Sequence, residues 1–490
     1  MTPTDEPTIL AVDIGTSAIR ATVLSLTGDV LTSNGLPTPI ERARPDEAIL
    51  DAERCWRLTA QAVRRAATGH RVAAVGVSAQ LGLVLVDRHG AALTPIFLWP
   101  DRTADGYLDD VGGRLADSPV PLGRRLAVEL PGVRLRMLAA TQPHVVDDAA
   151  AILSVKDYVV ARLTGEHVTD PTHASYTLVF DVARGRWSSE LARRLDVPGA
   201  LLPPVRRADD VAGWVGAAAS VACGVGRGTV VAVGGPDGTI GSLGAGATAP
   251  GRTVDIAGST DVLVHVTDAP VFDDRGVLTT NAHPLPALWT VGGATGLTGG
   301  AIAWLAGLFG YPGVEAMYED LDRALLAVPA GSRGVLVDTA LTGHRFPYWD
   351  LRRVGSIRGL TADRRREDIL SAAQEGAAFL MADGLRALAA AGRTVDSVVV
   401  VGGVARRPDI LRLRSSTWGL PVEGVGDGMA TSRGAAMLAG VAAGLYSSVE
   451  DAARHLIPRG EVYEPDARAR ASLADAYAAW AAAFSHDAAR

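Results

Sequence analysis

Cysteine and lysine are scarce in this chain, and each scarcity excludes a class of site. Only two cysteines, Cys55 and Cys223, occur in 490 residues, which is too few for a disulfide framework or a cysteine-rich zinc cluster. Lys156 is the only lysine, and no glycine-rich loop precedes it. A P-loop nucleotide site needs a lysine directly after such a loop. The sequence therefore excludes the P-loop class of nucleotide enzymes.

A basic excess and a long apolar run are missing as well. The formal net charge is −7, so the chain lacks the positive charge with which nucleic-acid-binding proteins neutralise phosphates. No apolar run approaches the length of a membrane span, and the polar amino end, residues 1–7, does not resemble a signal peptide. We therefore expect a protein of the reducing cytoplasm that binds neither nucleic acid nor membranes.

The chain does contain ample hydrophobic sequence in which strand and helix patterns alternate. Hydrophobic residues make up 48% of the chain and charged residues 21%, which excludes wholesale disorder. Strand-like runs and helical apolar spacing mix in both halves, so the expected class is α/β. The small-residue stretch 241–251 is the best candidate for a boundary. We expect one domain over 1–249 and a second over 250–490.

The two halves are predicted to repeat a similar succession of elements. In the first half we expect a three-stranded meander over 8–34, helices over 52–68 and 148–164, and strands over 72–77, 82–87 and 230–235. In the second half we expect a meander from residue 253, a strand over 398–401, and helices over 299–308, 317–328, 366–391, 408–417, 430–445 and 471–484.

Two short turns look like one phosphate-binding device used twice. The first is Gly15-Thr16-Ser17, and the second is Gly258-Ser259-Thr260, each between two strand-like runs. Glycine lets backbone N–H groups approach an anion, and serine or threonine adds hydroxyl donors. Because the turns lie in different halves of the chain, they indicate a duplicated pair of domains that hold one polyphosphate between them.

Ordered motifs along nearly the whole chain resemble the FGGY family of carbohydrate kinases, and xylulose-kinase-like members most of all. The motifs lie at 13–17, 99–101, 156–166, 169–175, 234–246, 342–350, 375–379, 402–403 and 431–436. The resemblance implies two ribonuclease-H-like domains of the sugar kinase, actin and heat-shock ATPase type, with the active site in the cleft between them. It also implies ATP and Mg²⁺ as cofactors and a small carbohydrate as the substrate, and it allows a homodimer.

The resemblance puts the catalytic aspartate of the family at Asp237, which we expect to act as the general base. Asp237 follows a strand-like run and lies among glycines that would let two substrates come close. Read in isolation, the pair Asp237-Gly238 is equally typical of a turn. Asp13 is expected to hold the nucleotide Mg²⁺, because hard cations prefer carboxylate oxygen, although an Asx turn would also place an aspartate there.

Contacts to the nucleotide are expected from both halves of the chain. By resemblance they are Thr16, Ser17, Arg20, Gly258, Ser259, Thr260, Gly299, Ala303, Gly402, Gly403 and Arg407. Arg20 alone would be unremarkable as a solvated strand residue, and the glycine pair 402–403 is also typical of a plain strand-to-helix turn. Some relatives carry asparagine at the position of Arg407, so its contact with the base stays open.

The sugar is expected in the first domain, against Gln80, Leu81, Gly82, Trp99, Asp101 and Asp237. Sugars need planar hydrogen-bonding groups and often an aromatic face, although a lone tryptophan is more often a core residue. Xylulose kinases carry Met-His-Gly after the equivalent glutamine, and this chain lacks that histidine. His173 and His344 are the candidates to compensate for it.

Three positions depart from the family pattern, namely Asp261, His344 and Met429. A carboxylate at position 261 would repel polyphosphate unless it faces away or assists the metal. The change at Met429 is expected to alter helix capping rather than chemistry. Arg345 is expected to anchor the two domains.

These observations predict ATP-dependent phosphorylation of a small carbohydrate hydroxyl, with a ketopentose such as xylulose, or a polyol, as the preferred acceptor. A gluconate or other sugar-acid kinase is the alternative within the family, and it would need an arginine near the sugar carboxylate. A nucleotide- and sugar-binding regulatory protein with weakened turnover is the alternative from another class, and the three departures keep it open.

Overall fold

The computed structural model contains two seven-stranded sheets, one built from each half of the sequence. It describes residues 4–273 and 275–484. The start of the polar amino end, residues 1–3, and the end of the predicted second domain, residues 485–490, lie outside the described residues. No helix in the described part of the chain is long and apolar enough to cross a membrane.

The first half supplies thirteen strands and nine helices among the described residues. The strands are β1 (Thr4–Ile14), β2 (Ala18–Leu24), β3 (Val30–Pro37), β4 (Ile49–Leu50), β5 (His70–Ala79), β6 (Gly82–Val86), β7 (Ile96–Leu98), β8 (Ala151–Leu153), β9 (Phe180–Asp181), β10 (Arg186–Trp187), β11 (Val211–Trp214), β12 (Val230–Ala232) and β13 (Gly235–Pro236). The helices are α1 (Ala52–Ala67), α2 (Leu108–Leu115), α3 (Pro131–Thr141), α4 (Pro143–Asp148), α5 (Val155–Thr164), α6 (Pro171–Tyr176), α7 (Ser189–Arg194), α8 (Ala217–Cys223) and α9 (Asp237–Leu243).

The second half supplies the remaining elements of the described chain. The strands are β14 (Thr253–Ala257), β15 (Asp261–Thr267), β16 (Thr279–Ala282), β17 (Trp289–Ala294), β18 (Leu336–Asp338), β19 (Ser356–Arg358), β20 (Val398–Gly402), β21 (Val422–Val425) and β22 (Glu461–Tyr463). The helices are α10 (Gly299–Leu308), α11 (Val314–Ala327), α12 (Arg366–Ala390), α13 (Pro408–Trp418), α14 (Ala430–Ala442), α15 (Val449–Leu456) and α16 (Ala467–Ala483).

The two main sheets share one topology. In the first, β1 pairs antiparallel with β2 and parallel with β5, and β5 pairs parallel with β12 and β13. In the second, β14 pairs antiparallel with β15 and parallel with β20, which pairs parallel with β21. The central strands are buried along their length because helices cover the parallel part of a sheet on both faces. The predicted α/β class, the first meander and the duplicated architecture are therefore confirmed, whereas the second meander is interrupted because β15 pairs with β17 and not with the next strand, β16.

Most predicted elements are confirmed, and the helix predicted over 148–164 is wrong in its first part. Helix α4 ends at Asp148, strand β8 follows, and only Val155–Thr164 is helical. The late start has a local cause: the Ser154 hydroxyl accepts the Asp157 N–H, and the Asp157 carboxylate accepts the Ser154 N–H. This capping box fixes the helix start after the strand. The strand predicted over 230–235 is divided into β12 and β13.

Helix α14 comes from the second half of the sequence but packs against the sheet of the first half. It contacts α9, β5 and β1. The approach leaves no room for side chains: a Cβ on Gly434 would lie 2.0 Å from the Ile240 carbonyl oxygen, and one on Gly76 would lie 2.1 Å from that of Ala435. The two halves are therefore joined tightly next to the ends of β1 and β5.

We expect the Gly434→Ala substitution to lower the free energy of unfolding by about 1–3 kcal/mol, because the new methyl group overlaps a backbone carbonyl that cannot move alone. Gly113→Ala is the control, since this exposed glycine of α2 has nothing within 4 Å of its Cβ position. That change should be neutral or stabilise by about 0.5–1 kcal/mol. Denaturant unfolding measures both, and equal stability of the two variants would contradict the tight packing.

Candidate active site

The ends of three neighbouring strands bring Asp13, Gln80 and Asp237 to one edge of the first sheet. Opposite Ser78 of β5 lie Asp13 of β1 on one side and Gly235 of β13 on the other. Gln80 follows β5 directly, and Asp237 follows β13 directly. The carboxyl ends of parallel strands meet at the same edge of a sheet, where ligands of α/β proteins bind. The three residues therefore start from adjacent backbone positions.

The two aspartates are close enough to affect each other's ionisation. Burial raises the pKa of Asp13 to about 7 and the Asp237 carboxylate adds to this, while the Ser78 hydroxyl, 2.9 Å from Oδ1, opposes it. Burial also raises the pKa of Asp237, against the Gly238 N–H that it accepts at 2.7 Å and the nearby His173. Two carboxylates in such surroundings favour a bound cation or a proton. Perturbed pairs of this kind are typical of functional sites.

Gln80 and His173 carry buried polar atoms that have no hydrogen-bond partner among the described residues. Gln80 is 1% exposed, and both its Oε1 and its Nε2 are unpartnered. His173 is 4% exposed, and its Nε2 is unpartnered, whereas its Nδ1 lies 2.7 Å from Asp170 Oδ1. An unsatisfied buried group costs about 1–3 kcal/mol, so it calls for an explanation. Both side chains are candidates to bind a polar ligand.

A buried charge network lies directly behind the strand that leads to Asp237. A Cβ on Gly235 would touch Asp170 Oδ2 at 3.5 Å. The Lys156 ammonium lies 3.1 Å from Asp170 Oδ1 and 2.5 Å from Asp157 Oδ1. Burial disfavours charge on Lys156, but the two carboxylates hold its pKa above the ordinary value. The single lysine of the chain is therefore a structural cation that two carboxylates neutralise.

A cavity of about 30 Å³ lies beside the predicted sugar residues Leu81 and Gly82. Apolar side chains form most of its wall, and His173 and Tyr176 are among its polar lining residues. None of the lining residues in the described chain is an arginine or a lysine. The cavity therefore suits an uncharged group.

Trp99 and Asp101 lie on the same loop but have different surroundings. Trp99 is 38% exposed, so it is not a core residue, and the Arg345 guanidinium lies 5.9 Å from the centre of its ring. Asp101 is buried and accepts hydrogen bonds from the Ala48 N–H at 2.8 Å and from Arg134. The carboxylate of Asp101 is thus engaged inside the domain and holds the Trp99 loop, and its predicted contact with the sugar stays a prediction.

The first predicted phosphate turn is open to solvent. Thr16 and Ser17 are exposed, and Gly15 N–H donates to the Ala18 carbonyl at 2.9 Å to close the turn. Arg20 is half-buried on β2, opposite Asp13 in the antiparallel pairing, and its charge favours the ionised form of Asp13 by lowering the pKa of that carboxyl. The turn therefore presents backbone and hydroxyl donors next to Asp13.

The second predicted phosphate turn is also exposed at Gly258 and Ser259 and half-buried at Thr260. The next residue, Asp261, faces away from the turn: its Oδ2 lies 2.9 Å from Arg414 Nη2, and Asp255 pairs with the same guanidinium. All three charged side chains are buried. The departure at position 261 therefore belongs to the support of the turn and does not present a charge to polyphosphate.

The residues predicted to contact the adenosine fall into two groups, those near the second turn and Arg407. Ala303 and Gly403 are exposed and Gly299 and Gly402 are half-buried, on or next to elements that border the second turn. A Cβ on Gly299 would lie 2.1 Å from the Gly258 carbonyl oxygen, so a glycine is required there by the packing of the turn. Arg407 points elsewhere: its guanidinium pairs with Asp322 at 3.0 Å and with Glu315, both on α11.

The second half of the chain also contains the other two departures from the family pattern, His344 and Met429, and the predicted anchor Arg345. His344 Nε2 lies 2.7 Å from Asp338 Oδ1, which engages this histidine within the second domain. Arg345 Nη1 donates to Glu129 Oε1 at 2.9 Å and so confirms the predicted anchor between the domains. Met429 precedes α14 at the N-cap position without a side-chain capping bond, in line with the expected change in capping.

Comparisons with known proteins assign the family. A model of the N-terminal domain of the FGGY family of carbohydrate kinases matches residues 8–244, and a model of its C-terminal domain matches residues 255–443. The chain belongs to the FGGY family of carbohydrate kinases. The predicted resemblance, the two-domain fold and the kinase activity are thereby confirmed, and FGGY kinases use ATP as the phosphate donor.

Relatives of this FGGY kinase differ in the substrate that they are named for. A xylulose kinase of Bacillus subtilis is 24% identical over 469 residues, which are 94% of this chain and 93% of that protein. A glycerol kinase of Rhodospirillum centenum is 30% identical over 473 residues, which are 92% of each. The solved structure of a gluconate kinase from Lactobacillus acidophilus has a TM-score of 0.90 at 20% identity, over 99% of this chain and 98% of that one, which shows the fold alone.

Sequence reasoning missed several residues of the FGGY kinase site. Ser78 was invisible because only the register of β1 against β5 places it beside Asp13. Arg414 was missed because it lies 153 residues from Asp261 in the sequence. The signals that the sequence offered were a serine near the end of a strand-like run and the single lysine, Lys156. Neither is specific for an active site.

We expect Arg414→Met to lower the free energy of unfolding of the kinase by about 3–5 kcal/mol, because it removes the buried cation that the carboxyl groups of Asp255 and Asp261 share. The matched control is Arg412→Met on the same helix, where the side chain is 57% exposed, pairs with Asp409 and lies over the Tyr463 ring. That control should lose less than about 1 kcal/mol in a denaturant titration.

The same triad gives a pH test. Burial and the neighbouring Asp261 raise the pKa of Asp255, so the folded protein holds this proton above the usual range of an aspartate. The stability that this group contributes is present at low pH and is lost as the pH rises toward the raised pKa. Asp255→Asn should therefore flatten the fall in unfolding free energy between about pH 5 and about pH 8. If the unfolding free energies of the wild type and of Asp255→Asn change by the same amount over this interval, the assignment is contradicted.

Proposed function

We propose that this kinase transfers the terminal phosphate of ATP to a hydroxyl group of a neutral ketopentose or polyol, with Asp237 as the general base. The carrying observation is the placement of Asp237 at the strand edge that it shares with Asp13 and with the unpartnered Gln80 amide. Phosphoryl transfer needs charge neutralisation, in-line placement and a base for the hydroxyl proton. At this edge Asp237 would be the base, Asp13 would hold a cation that neutralises phosphate charge, and the Gln80 amide would help to place the acceptor.

Asp237 has the properties of a base for an alcohol. Its pKa is raised by burial, so its carboxylate holds a proton more strongly than one in water does. A general base works best when its pKa approaches the operating pH. Asp237 also begins α9, which packs against β14 and β15 on either side of the second phosphate turn. The helix that begins at the proposed base therefore contacts both strands that flank the phosphate turn.

Asp13 would hold Mg²⁺ in this proposal. No group of three or more His, Cys, Asp or Glu side chains in the described chain forms a dedicated metal cage. Mg²⁺ usually binds through one or two carboxylates together with substrate phosphates and water. A half-buried aspartate with a pKa raised to about 7 by desolvation and by a second carboxylate fits that donor set. When bound, the ion would neutralise charge on the phosphates.

The nucleotide would lie between the two exposed turns and the open surface of the second domain. Hydroxyl and backbone donors are available at Thr16, Ser17 and Ser259, all of which are exposed. Ala303 and Gly403 offer exposed surface without bulk for the base or ribose. Arg407 would act indirectly, since α11 holds its guanidinium.

A hydroxyl or hydroxymethyl group of a neutral acceptor suits the cavity of about 30 Å³ beside Leu81 and Gly82 better than a carboxylate group does. The cavity lining contains neither arginine nor lysine among the described residues. Lys156 is neutralised by two carboxylates and Arg134 by Asp101, and Arg124, which donates to Asn281 and lies over the Tyr176 ring, is not among the lining residues. A carboxylate substrate would leave its charge buried and unpaired, which is costly. The gluconate alternative is therefore less favoured.

The regulatory alternative is weakened because Asp261 is engaged by an internal ion pair with Arg414 and His344 by a contact with Asp338. A location in the reducing cytoplasm and a homodimer stay predictions. Both cysteines, Cys55 and Cys223, are buried free thiols, which is compatible with that location.

We expect Asp237→Asn to lower kcat by about 10²–10⁴-fold, because the amide cannot accept the hydroxyl proton. ADP release would be measured with ATP, Mg²⁺ and a panel of pentuloses, polyols and aldonates. Asp117→Asn, an exposed aspartate outside the site, is the matched control and should leave kcat unchanged. ATP hydrolysis that needs no sugar and survives in Asp237→Asn would sink the proposal.

We expect Gln80→Met to raise the KM for the acceptor about tenfold while the KM for ATP stays the same, because the amide binds the sugar through one or two hydrogen bonds. The free energy of unfolding should not fall and should rise by about 1 kcal/mol, since an unpartnered buried amide is removed. Gln142→Met, at an exposed position, is the control. Loss of stability without a change in acceptor KM would show that Gln80 is structural.

A further inference from the structure

His173 is held in one orientation by a carboxylate that also caps its helix. Asp170 Oδ1 lies 2.7 Å from His173 Nδ1, and Asp170 Oδ2 accepts the N–H groups of Thr172 at 2.9 Å and of His173 at 3.0 Å. The two N–H bonds to Oδ2 hold the Asp170 carboxylate in place, and a rotation of the His173 ring would break its bond to Oδ1. Its Nε2 is fixed on the side away from Asp170.

The charge state of Asp170 decides what His173 Nε2 can do. Burial alone would raise the pKa of Asp170, but the Lys156 ammonium and His173 beside it hold that pKa far below the usual range. An ionised carboxylate only accepts hydrogen bonds, so the Nδ1 of His173 carries the proton. In the neutral imidazole the other ring nitrogen is then an acceptor. Nε2 thus presents a lone pair.

The surroundings of Nε2 belong to the sugar side of the site. His173 lines the cavity of about 30 Å³ together with Leu81, Gly82 and Tyr176. That volume accommodates a group the size of one or two water molecules, such as a hydroxyl or hydroxymethyl group. Helix α6, which carries His173, also contacts β13, the strand that leads directly to Asp237. The other candidate histidine, His344, is bound to Asp338 in the second domain.

Helix α6 is also tied to the second domain on both sides of His173. The Thr172 hydroxyl donates to the Ala282 carbonyl at 2.8 Å, and the Ala282 N–H donates to the Ser175 hydroxyl at 3.0 Å. The backbone that carries His173 is therefore fixed by both domains. A group held this firmly can select one arrangement of substrate hydroxyls.

We propose that His173 is a substrate-binding residue whose Nε2 accepts a hydrogen bond from a second hydroxyl of the acceptor, next to the hydroxyl that Asp237 deprotonates. The inference rests on the proposed function and deepens it, because it requires a neutral acceptor with at least two hydroxyl groups near the reacting end. An acceptor that lacks the second hydroxyl leaves Nε2 unpaired in a buried cavity, and the site discriminates against it.

Two substitutions at position 173 distinguish a role in substrate binding from a purely structural role. His173→Asn keeps a donor for Asp170 but has no atom at the position of Nε2, whereas His173→Gln reaches further and returns an acceptor. His173→Asn should raise the KM for the acceptor roughly five- to tenfold, the effect of one hydrogen bond, with the KM for ATP unchanged. His173→Gln should recover part of this loss. His144→Asn, on the exposed face of α4, is the matched control and should change neither constant.

Monodeoxy analogues of the best acceptor give the deciding measurement. Removal of the hydroxyl that His173 binds should raise the KM of the wild-type kinase but have little further effect in His173→Asn. The other deoxy analogues should weaken both proteins by equal factors. If every analogue weakens His173→Asn as much as it weakens the wild type, the proposal is overturned.

Calorimetric binding keeps this outcome distinct from failure of the proposed function. The same sugars and polyols are titrated into Asp237→Asn and into Asp237→Asn/His173→Asn, without nucleotide. Weaker binding to the double variant supports His173 even if the wild type turns over no member of the panel, in which case only the proposed function fails. Equal binding to both proteins, or binding to neither, overturns the role of His173.

Discussion

The pairing of β1 and β13 on opposite sides of β5 is the constraint on which the rest of the site depends. It fixes Asp13 and Asp237 at one sheet edge, with Gln80 between them at the end of β5. Two carboxylates held in low-polarity surroundings are unfavourable as a pair, and the pKa of Asp13 rises to about 7 through burial first and through Asp237 second. A cation or a transferred proton relieves this conflict. The register of three strands thus creates the electrostatic condition that phosphoryl transfer uses.

The packing between the two halves of the chain connects Asp237 to the second phosphate turn. Helix α9 starts at Asp237 and packs against β14 and β15, while α14 of the second half lies on the first sheet. Behind the turn, Arg414 balances Asp255 and Asp261, so the charge nearest the turn is neutralised inside the domain. The exposed surface of the turn is therefore left with backbone and hydroxyl groups, which suit an anion. The supporting charges face inward and the anion-binding groups face outward.

Local patterns were sufficient for the fold and for the outline of the site. Both glycine-rich turns, the range of α10 and the position of Asp237 after a strand were readable from the sequence, because each depends on neighbouring residues. What sequence could not show depends on distant partners. Asp261 turns toward an arginine 153 residues away, and Asp101 pairs with Arg134 at a separation of 33 residues. The error over 148–164 had a local cause, the Ser154 capping box, which the apolar periodicity concealed.

The distribution of charge behind the site narrows the chemistry of the acceptor. Lys156 is shared by two carboxylates, and Arg134 is engaged by a third. On the sugar side of the described chain the Gln80 amide and His173 Nε2 are unpartnered, and so is Nε of Arg124, whose guanidinium lies over the Tyr176 ring. An amide offers both a donor and an acceptor, and a fixed imidazole nitrogen offers an acceptor, which together match adjacent hydroxyl groups rather than a carboxylate. In the proposed function, the polar atoms that take no part in ion pairs would determine which acceptor this kinase binds.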